Sequence, residues 1–361
     1  MLPLVQEYRQ NPLTGNWVII SPGRAARPQQ FAHSAEQSLP ERDAECDFCP
    51  GNEHKTTPEV YAVRDDYSAV DREGWRVRVV ANKYPAVTID AEGVPTPESV
   101  ALARPAPAPD PSIEPSQLRP SRPAVGMHEV VIESPAHNRH WALQDTSQAT
   151  LIVETLRHRY RMIAQAKDVR YISIIKNHGR RSGSSLRHPH LQIIATAVVP
   201  PAAGFMVDRQ EVYAKEAGRP YFEAVLAEEL PSGRRVVAMN EEFVTLTPWA
   251  SQVPYEMWIV PRRQMSGFGE LPDGQLERFA IVLRDALYRL HQGLNDPDYN
   301  FVIHSAPKGQ RAQQHHRWFV QIAPRVTTPA GFELGTGMYI NTVPPEEAAA
   351  TLRDVAPREI Q

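Results

Sequence analysis

Two histidines and a glutamine alternate along one short stretch, with His188, His190 and Gln192 at every second position of HPHLQ. The flanking runs, YISII at 171–175 and QIIATAVV at 192–199, have the β-branched and aromatic composition of strands. Side chains two positions apart on a strand point to the same face of a sheet. The pattern therefore predicts two imidazoles and a carboxamide on one face, where an imidazole nitrogen can act as a nucleophile.

The loop before these residues, NHGRRSGSSLR at 177–187, has the composition of an anion-binding segment. Glycines allow the backbone to approach a ligand closely, and hydroxyl and guanidinium groups bind phosphate oxygens. The residues concerned are Gly179, Gly183, Ser182, Ser184, Ser185, Arg180 and Arg181. Beside the imidazoles they favour chemistry on a phosphate group. The alternative is a surface hairpin that carries a histidine pair by chance.

The two cysteines of the chain, Cys46 and Cys49, form the sequence CDFC. This number excludes a disulfide framework and leaves a metal half-site or a redox pair. A redox CxxC usually opens a helix, whereas this one continues into Pro50 and Gly51, so the sequence favours a metal. Two further ligands must then come from histidines. His54 is the nearest in sequence.

Bulk composition restricts the class of protein. At 361 residues the chain is long enough for two domains, and 39 Lys and Arg balance 42 Asp and Glu. The balanced charge, without an interleaved aromatic and basic pattern, argues against nucleic-acid binding. The first residues, MLPLVQEYRQ, do not resemble a signal peptide, and Pro or charged residues interrupt every long apolar run. We therefore expect a cytoplasmic protein that does not bind membranes.

The order strand, helix, strand, loop, strand occurs twice and predicts an α+β fold built from two repeats. The first copy combines the strand at 128–137, a helix at about 146–167 and the two strands around the HPHLQ loop. In the second copy the helix falls at about 273–292, between strands at 255–264 and 299–304, and the last strand is HHRWFVQIAPR. Two copies of one unit are simpler than two unrelated domains. Arg317 and Phe319 stand where the first copy has its histidines, so we expect one half to carry the chemistry.

These features divide the chain into a catalytic domain at 1–200, a second domain at 201–345 and a tail at 346–361. Residues 95–123 contain nine prolines. Such a segment cannot form a ladder or a long helix and is typical of an extended insertion loop.

Several motifs resemble the galactose-1-phosphate uridylyltransferase family of the histidine-triad superfamily. They are NPLTGNWVIISPGRAARP, CDFCPGNEHKT, ANKYPA, ESPAH, NHGRRSGSSLRHPHLQ and GFELGTGMYINTVPPEEAA, which span most of the chain. The resemblance implies two tandem histidine-triad-like halves, each an antiparallel sheet with a packed helix. It also implies that His190 becomes nucleotidylated and that Gln192 hydrogen-bonds the transferred phosphoryl group.

The resemblance implies further site residues. Arg24, Arg27, Asn82, Asn177 and Ser185 match positions that bind the nucleotide, and the backbone of Gly183 would contact the α-phosphate. One structural zinc ion per chain would be bound by Cys46, Cys49, His137 and His188. A second metal, held in some members by a histidine pair, is not expected at Arg317 and Phe319. Arg180, Arg181 and Lys308 are candidates for the hexose phosphate on charge alone.

The implied reaction is ping-pong uridylyl transfer from UDP-glucose to a hexose 1-phosphate such as galactose 1-phosphate, in a homodimer. Related hydrolases carry a third histidine at position 192; a carboxamide cannot shuttle a proton, which favours transfer or phosphorolysis over hydrolysis. The tail places Gly331, Thr336 and Gly337 where larger hexose-contacting groups are expected, which leaves ADP-glucose phosphorylase as an alternative. A nucleotide-binding zinc scaffold without turnover is the alternative outside enzymes.

Overall fold

The structure is a computed structural model that describes residues 6–26, 39–65, 68–89, 123–309 and 315–357. Arg27 and nearly all of the predicted insertion at 95–123 lie outside these residues. The described strands are β1 (Glu7–Gln10), β2 (Trp17–Ile20), β3 (Glu59–Arg64), β4 (Trp75–Ala81), β5 (Gly126–Ile132), β6 (Tyr171–His178), β7 (His190–Thr196), β8 (Val236–Met239), β9 (Phe243–Leu246), β10 (Met257–Pro261), β11 (Tyr299–His304), β12 (Phe319–Pro324) and β13 (Tyr339–Asn341). The described α-helices are α1 (Thr146–Ala164), α2 (Pro201–Ala217), α3 (Tyr221–Ser232), α4 (Leu276–Gly293), α5 (Gly331–Thr336) and α6 (Pro345–Asp354).

Ten of these strands form one antiparallel sheet in the order β3-β4-β5-β7-β6-β11-β12-β10-β9-β8. The first five strands in this order recur in reverse as the last five, with β8 to β12 in the places of β3 to β7. The predicted α+β fold of two antiparallel repeats is therefore confirmed. The repeats are joined where β6 pairs with β11, so they share a single sheet. The proposed boundary at residue 200 falls between β7 and α2.

Helices α1 and α4 pack on each other and on one face of this sheet. Both agree with the predicted helices, although α1 ends at Ala164, three residues before Lys167. Helix α1 begins at a side-chain cap, where the Asp145 carboxylate accepts the Gln148 N–H at 2.7 Å. This bond satisfies one of the backbone N–H groups that have no partner within the helix. The repeats meet inside the same core, since the Trp141 and Phe301 rings are 5.9 Å apart. Burial of each large apolar side chain contributes about 1.5–3 kcal/mol to this core.

The opposite face of the sheet differs between the repeats. In the second repeat it is covered by α2 and α3, whose Phe222 packs 5.2 Å from Phe319 and 6.0 Å from Trp258. Their amphipathic patterns are too weak to predict these helices from the sequence. A Pro at the N-terminal boundary of each, with Gly218 and Gly233 at the C-terminal ends, is nevertheless usual for helix boundaries. In the first repeat the same face carries His190 and Gln192.

A small sheet of β1, β2 and β13 brings the two ends of the described chain together. Arg9 donates to Glu346 at 3.0 Å, and the Asn341 amide donates to the Ser251 carbonyl at 2.9 Å. This sheet therefore packs on the second repeat. In the described part of the chain, no helix is both long and apolar enough to cross a bilayer.

Candidate active site

His190 is the first residue of β7 and points away from helices α1 and α4. Its ring Nδ1 lies 2.9 Å from the backbone carbonyl oxygen of His188. A carbonyl can only accept, so Nδ1 carries the proton and Nε2 keeps its lone pair. Burial lowers the pKa of His190 to about 4, with Lys176 contributing in the same direction. The ring is therefore neutral at pH 7, which is the form required of a nucleophile.

Cys46, Cys49, His137 and His188 converge on one point and could hold a metal ion. The Cys49 Sγ lies 3.5 Å from His137 Nδ1 and 3.6 Å from His188 Nδ1, and the Cys46 Sγ lies 3.8 Å from His188 Nδ1. A tetrahedral ion with ordinary bonds to sulfur and nitrogen has S···N edges of about 3.6 Å. The four side chains therefore have the spacing of a ligand set, whereas His54 is exposed and lies outside it.

The surroundings of these groups favour a metal over redox chemistry. Both cysteines are free, and burial raises the pKa of the Cys46 thiol to about 11, opposite to the shift of a reactive thiolate. His188 Nε2 lies 2.8 Å from the Ser134 carbonyl. That contact places the proton on Nε2 and leaves Nδ1 free to bind a cation. Phe48, between the cysteines, packs edge-on against His190 with ring centroids 5.4 Å apart, a contact the sequence analysis missed.

Gln192 contacts a histidine of the neighbouring strand β5, and this histidine also lies beside Asn82, the residue that follows β4. The Gln192 Oε1 is 2.7 Å from His128 Nε2, and His128 Nδ1 accepts the Ala86 N–H at 3.1 Å. Because Nδ1 accepts, the proton of the neutral ring is on Nε2, which donates to Gln192. The Asn82 amide nitrogen lies 3.1 Å from the same Nε2. His128 therefore lies between Asn82 and Gln192, although the sequence patterns did not single it out.

The predicted phosphate-binding loop follows β6. Asn177 accepts a hydrogen bond at 2.6 Å from Asn300 of the second repeat, while Ser185 and Gly183 are exposed. Space beside Gly183 is open, but a Cβ on Gly179 would overlap the Asp298 carboxylate. The backbone freedom of Gly179 therefore admits the Asp298 carboxylate, which accepts the Arg181 N–H.

Two of the candidate basic residues, Arg24 and Lys308, are held by contacts outside β6 and β7. Arg24 follows β2, and its backbone N–H donates to the Ser21 carbonyl, so its segment is anchored through β2 on the second repeat. The Lys308 ammonium donates to the carbonyls of Ala164 and Ala166 at 2.7 and 2.8 Å. Lys308 therefore caps the C-terminal end of α1.

The second repeat has buried residues packed at the positions where the first repeat has its candidate site. Arg317 donates to the carbonyls of Pro261 and Arg262 at 3.1 Å, and the Phe319 ring is fully buried. Gln321, the counterpart of Gln192, donates to Glu256 at 2.8 Å. Strand register places Val130 opposite Gln192 and Trp258 opposite Gln321, so Glu256 corresponds to His128.

Comparison with known proteins agrees with this arrangement. The family model for the N-terminal domain of galactose-1-phosphate uridyl transferase matches residues 3–200. ADP-glucose phosphorylase of Arabidopsis thaliana is 33% identical over 97% of this chain and 93% of its own length. Galactose-1-phosphate uridylyltransferase of Neurospora crassa is 27% identical over 97% and 95%. The crystal structure of the Arabidopsis phosphorylase with bound ADP-glucose has a TM-score of 0.79 at 32% identity, over 98% of this chain and 100% of that one.

The duplicated sheet with a histidine at the start of β7 defines a protein of the histidine-triad superfamily. More narrowly, the chain belongs to the galactose-1-phosphate uridylyltransferase family, whose enzymes are nucleotidyltransferases.

Proposed function

We propose that this protein transfers a nucleotidyl group through a covalent intermediate on His190. The observation that carries the proposal is the bond from Nδ1 to the His188 carbonyl, because it leaves Nε2 unprotonated on a buried, neutral ring. Nε2 would attack the α-phosphorus of a nucleotide sugar, the P–O bond to the sugar phosphate would break, and the sugar 1-phosphate would leave. A phosphate oxygen of the acceptor would then attack the same phosphorus and break the P–N bond.

Gln192 is proposed to hydrogen-bond the phosphoryl group during both steps. Its Oε1 is occupied by the His128 donor, so its amide N–H groups remain for an oxygen of the transition state. The group that departs is a phosphate ester whose second pKa is about 6, and it needs little protonation. A carboxamide without proton-transfer capacity is therefore sufficient.

ADP-glucose and inorganic phosphate are the first candidate substrates. The support is the similarity, over nearly the whole chain, to the Arabidopsis ADP-glucose phosphorylase, together with the small residues Gly331, Thr336 and Gly337 of the tail. Uridylyl transfer from UDP-glucose to a hexose 1-phosphate such as galactose 1-phosphate is the second candidate. It is favoured by the family match over residues 3–200.

We further propose that the ion held by Cys46, Cys49, His137 and His188 is zinc, which commonly takes two thiolates and two imidazoles in structural sites. Bound zinc would supply rigidity and take no part in the reaction. The His188 side chain would then be fixed, and with it the carbonyl that orients His190.

Nucleotide binding is assigned to Arg24, Arg27, Asn82, Asn177, Gly183 and Ser185. The segment with Arg24 is anchored on the second repeat, whereas His190 belongs to the first. We infer a homodimer in which this segment of one copy would reach the site of the other.

The test is to incubate the protein with ADP-glucose or UDP-glucose, without acceptor, and to locate the adduct by peptide mass spectrometry. An adenylyl or uridylyl group on His190 is expected, together with release of one equivalent of glucose 1-phosphate. His190→Gln should give no adduct, while the exposed His54→Gln should behave as the unchanged protein. Nucleotide binding without an adduct from either nucleotide sugar would instead support the alternative of a nucleotide-binding zinc scaffold without turnover.

A further inference from the structure

A second group of metal-binding side chains surrounds the carboxylate of Asp296. Its Oδ1 lies 3.0 Å from His291 Nδ1, 3.1 Å from His178 Nε2 and 3.6 Å from His140 Nε2. The rings also contact one another, with centroids 4.6 Å apart for His140 and His178 and 5.0 Å apart for His140 and His291. Three imidazoles therefore converge on a single carboxylate oxygen.

These residues come from four parts of the fold. His140 follows β5, three residues after His137, and His178 ends β6. His291 lies in the last turn of α4, and Asp296 follows in the loop before β11. The cluster thus lies where the two repeats meet, beside the pairing of His178 with Tyr299.

The chemistry of the cluster is that of a cation site. Burial alone would raise the pKa of Asp296, but His178 and His291 hold it well below its usual range. Burial lowers the pKa of His140 to about 3, so this ring is neutral. His140 is only 8% exposed, and its Nε2 is the ring nitrogen that faces the carboxylate. An ionised carboxylate and a neutral imidazole are the forms in which Asp and His bind metals.

The distances between the ligand atoms also fit a bound metal ion. The ligand atoms of His140, His291 and Asp296 all lie within 4.8 Å of one another. A tetrahedral ion with ordinary bonds to nitrogen and oxygen has edges of about 3.4 Å, and the distances of 3.0 and 3.6 Å lie on either side of this value. His178 lies outside this triangle of ligands and contacts the same carboxylate.

We propose that His140, His291 and Asp296 bind a second divalent transition-metal ion, zinc in the native protein, with His178 hydrogen-bonded to the carboxylate ligand. The ion joins the end of α4 to the segment that also carries His137, and so connects the two repeats. It also lies next to the phosphate-binding loop, because Gly179 follows His178 and Asp298 accepts the Arg181 N–H. The ligand set of two imidazoles and one carboxylate leaves a fourth position for water.

The test is a titration with cobalt(II) alone after the purified chain has been stripped with a chelator. We expect two ions per chain: one gives the intense charge-transfer absorption of a cobalt thiolate, and the other gives only weak visible bands. Cys46→Ser should remove the thiolate signal and leave the second ion. Asp296→Asn and His291→Gln should leave the thiolate signal and weaken the second ion at least about 100-fold, since even outer partners of metal ligands change affinity 10- to 100-fold.

His54→Gln is the matched control, since this exposed histidine should change neither ion. Circular dichroism verifies that each variant is folded, and the titration of the unchanged protein tests the stoichiometry without any substitution. A single cobalt ion per folded chain would overturn the proposal. Two ions that persist in folded Asp296→Asn and His291→Gln would also overturn it. These outcomes are independent of nucleotidyl transfer, which is measured by the adduct on His190.

Discussion

His128 donates from its ring Nε2 to the Oε1 of Gln192 at 2.7 Å, across the pairing of β5 with β7. The other ring nitrogen accepts the Ala86 N–H at 3.1 Å, which fixes the tautomer. A carboxamide can rotate by half a turn with little change in shape, and this donor specifies which way it points. His128 is therefore a positioning residue for Gln192 in the proposed reaction.

Replacement of His128 should slow transfer more than it weakens binding. For His128→Asn, which keeps an acceptor near the Nδ1 position and loses the distal donor, we expect kcat to fall about 10- to 100-fold with KM nearly unchanged. His128→Gln, which keeps a distal N–H, should recover part of kcat. Steady-state kinetics of both variants provide the measurement. Equal loss in the two would assign His128 a role in packing instead.

His190→Gln should abolish exchange and leave the fold intact. The variant loses the nucleophile and one hydrogen bond to the His188 carbonyl, a cost of about 1 kcal/mol in the free energy of unfolding. Exchange of labelled glucose 1-phosphate into the nucleotide sugar measures activity, and thermal melting measures stability. Substantial exchange by the folded variant would place the nucleophile elsewhere.

Cys46→Ser should lower both metal content and turnover. Without this thiolate the ion would be bound weakly, and the His188 carbonyl that orients His190 would lose its fixed position. Elemental analysis should find one zinc ion fewer per chain, and kcat should fall together with the melting temperature. The His54→Gln protein is again the control. Unchanged melting and activity in metal-free protein would contradict a structural role for the ion.

The ion pair of Lys176 and Glu133 lies next to the backbone of His190 at the start of β7 and is almost completely buried. Lys176→Met leaves a buried carboxylate without its partner and should lower the free energy of unfolding by about 3–5 kcal/mol. The double variant Lys176→Met with Glu133→Leu should recover much of this loss. Urea unfolding of both singles and the double gives the coupling free energy. Additive effects would mean that the two charges do not stabilise each other.

Gly179 and Gly183 offer a matched pair of substitutions. Both have a positive φ, +80° and +91°, so alanine is strained at either position. Only at Gly179 does the new Cβ also meet the Asp298 carboxylate. We expect Gly183→Ala to cost about 1 kcal/mol of stability and Gly179→Ala distinctly more. Denaturant unfolding compares them, and equal costs would show that Asp298 moves aside freely.

Local patterns in the sequence were enough to predict much of the fold and the common strand face of His190 and Gln192. Alternation over HPHLQ placed His190 and Gln192 on one strand face, and apolar spacing placed α1 and α4 to within a few residues. The pairing of β6 with β11 could not be predicted, because two edge strands of similar composition can pair in many ways. His128 was missed for a related reason. Within β5 it is one residue of an ordinary strand, and only its neighbour across the sheet gives it a role.

The site of the second repeat could be predicted only in part. Arg317 and Phe319 already indicated that the histidines had been replaced. That α2 and α3 cover this face of the sheet could not be predicted, because the two helices are only weakly amphipathic. The group around Asp296 was beyond sequence reasoning. His140, His178 and His291 are far apart in the chain, and only His178 belongs to one of the motifs, where nothing links it to the other two.

His188 contributes through two parts of the same residue, its ring to the cysteine cluster and its carbonyl to the orientation of His190. Every amino acid supplies that carbonyl, so no replacement of the side chain can delete it. A fall in turnover after such a replacement would therefore report loss of rigidity and not loss of an acceptor. Gradual withdrawal of the ion should thus make the protein a slower catalyst before it becomes an unfolded one.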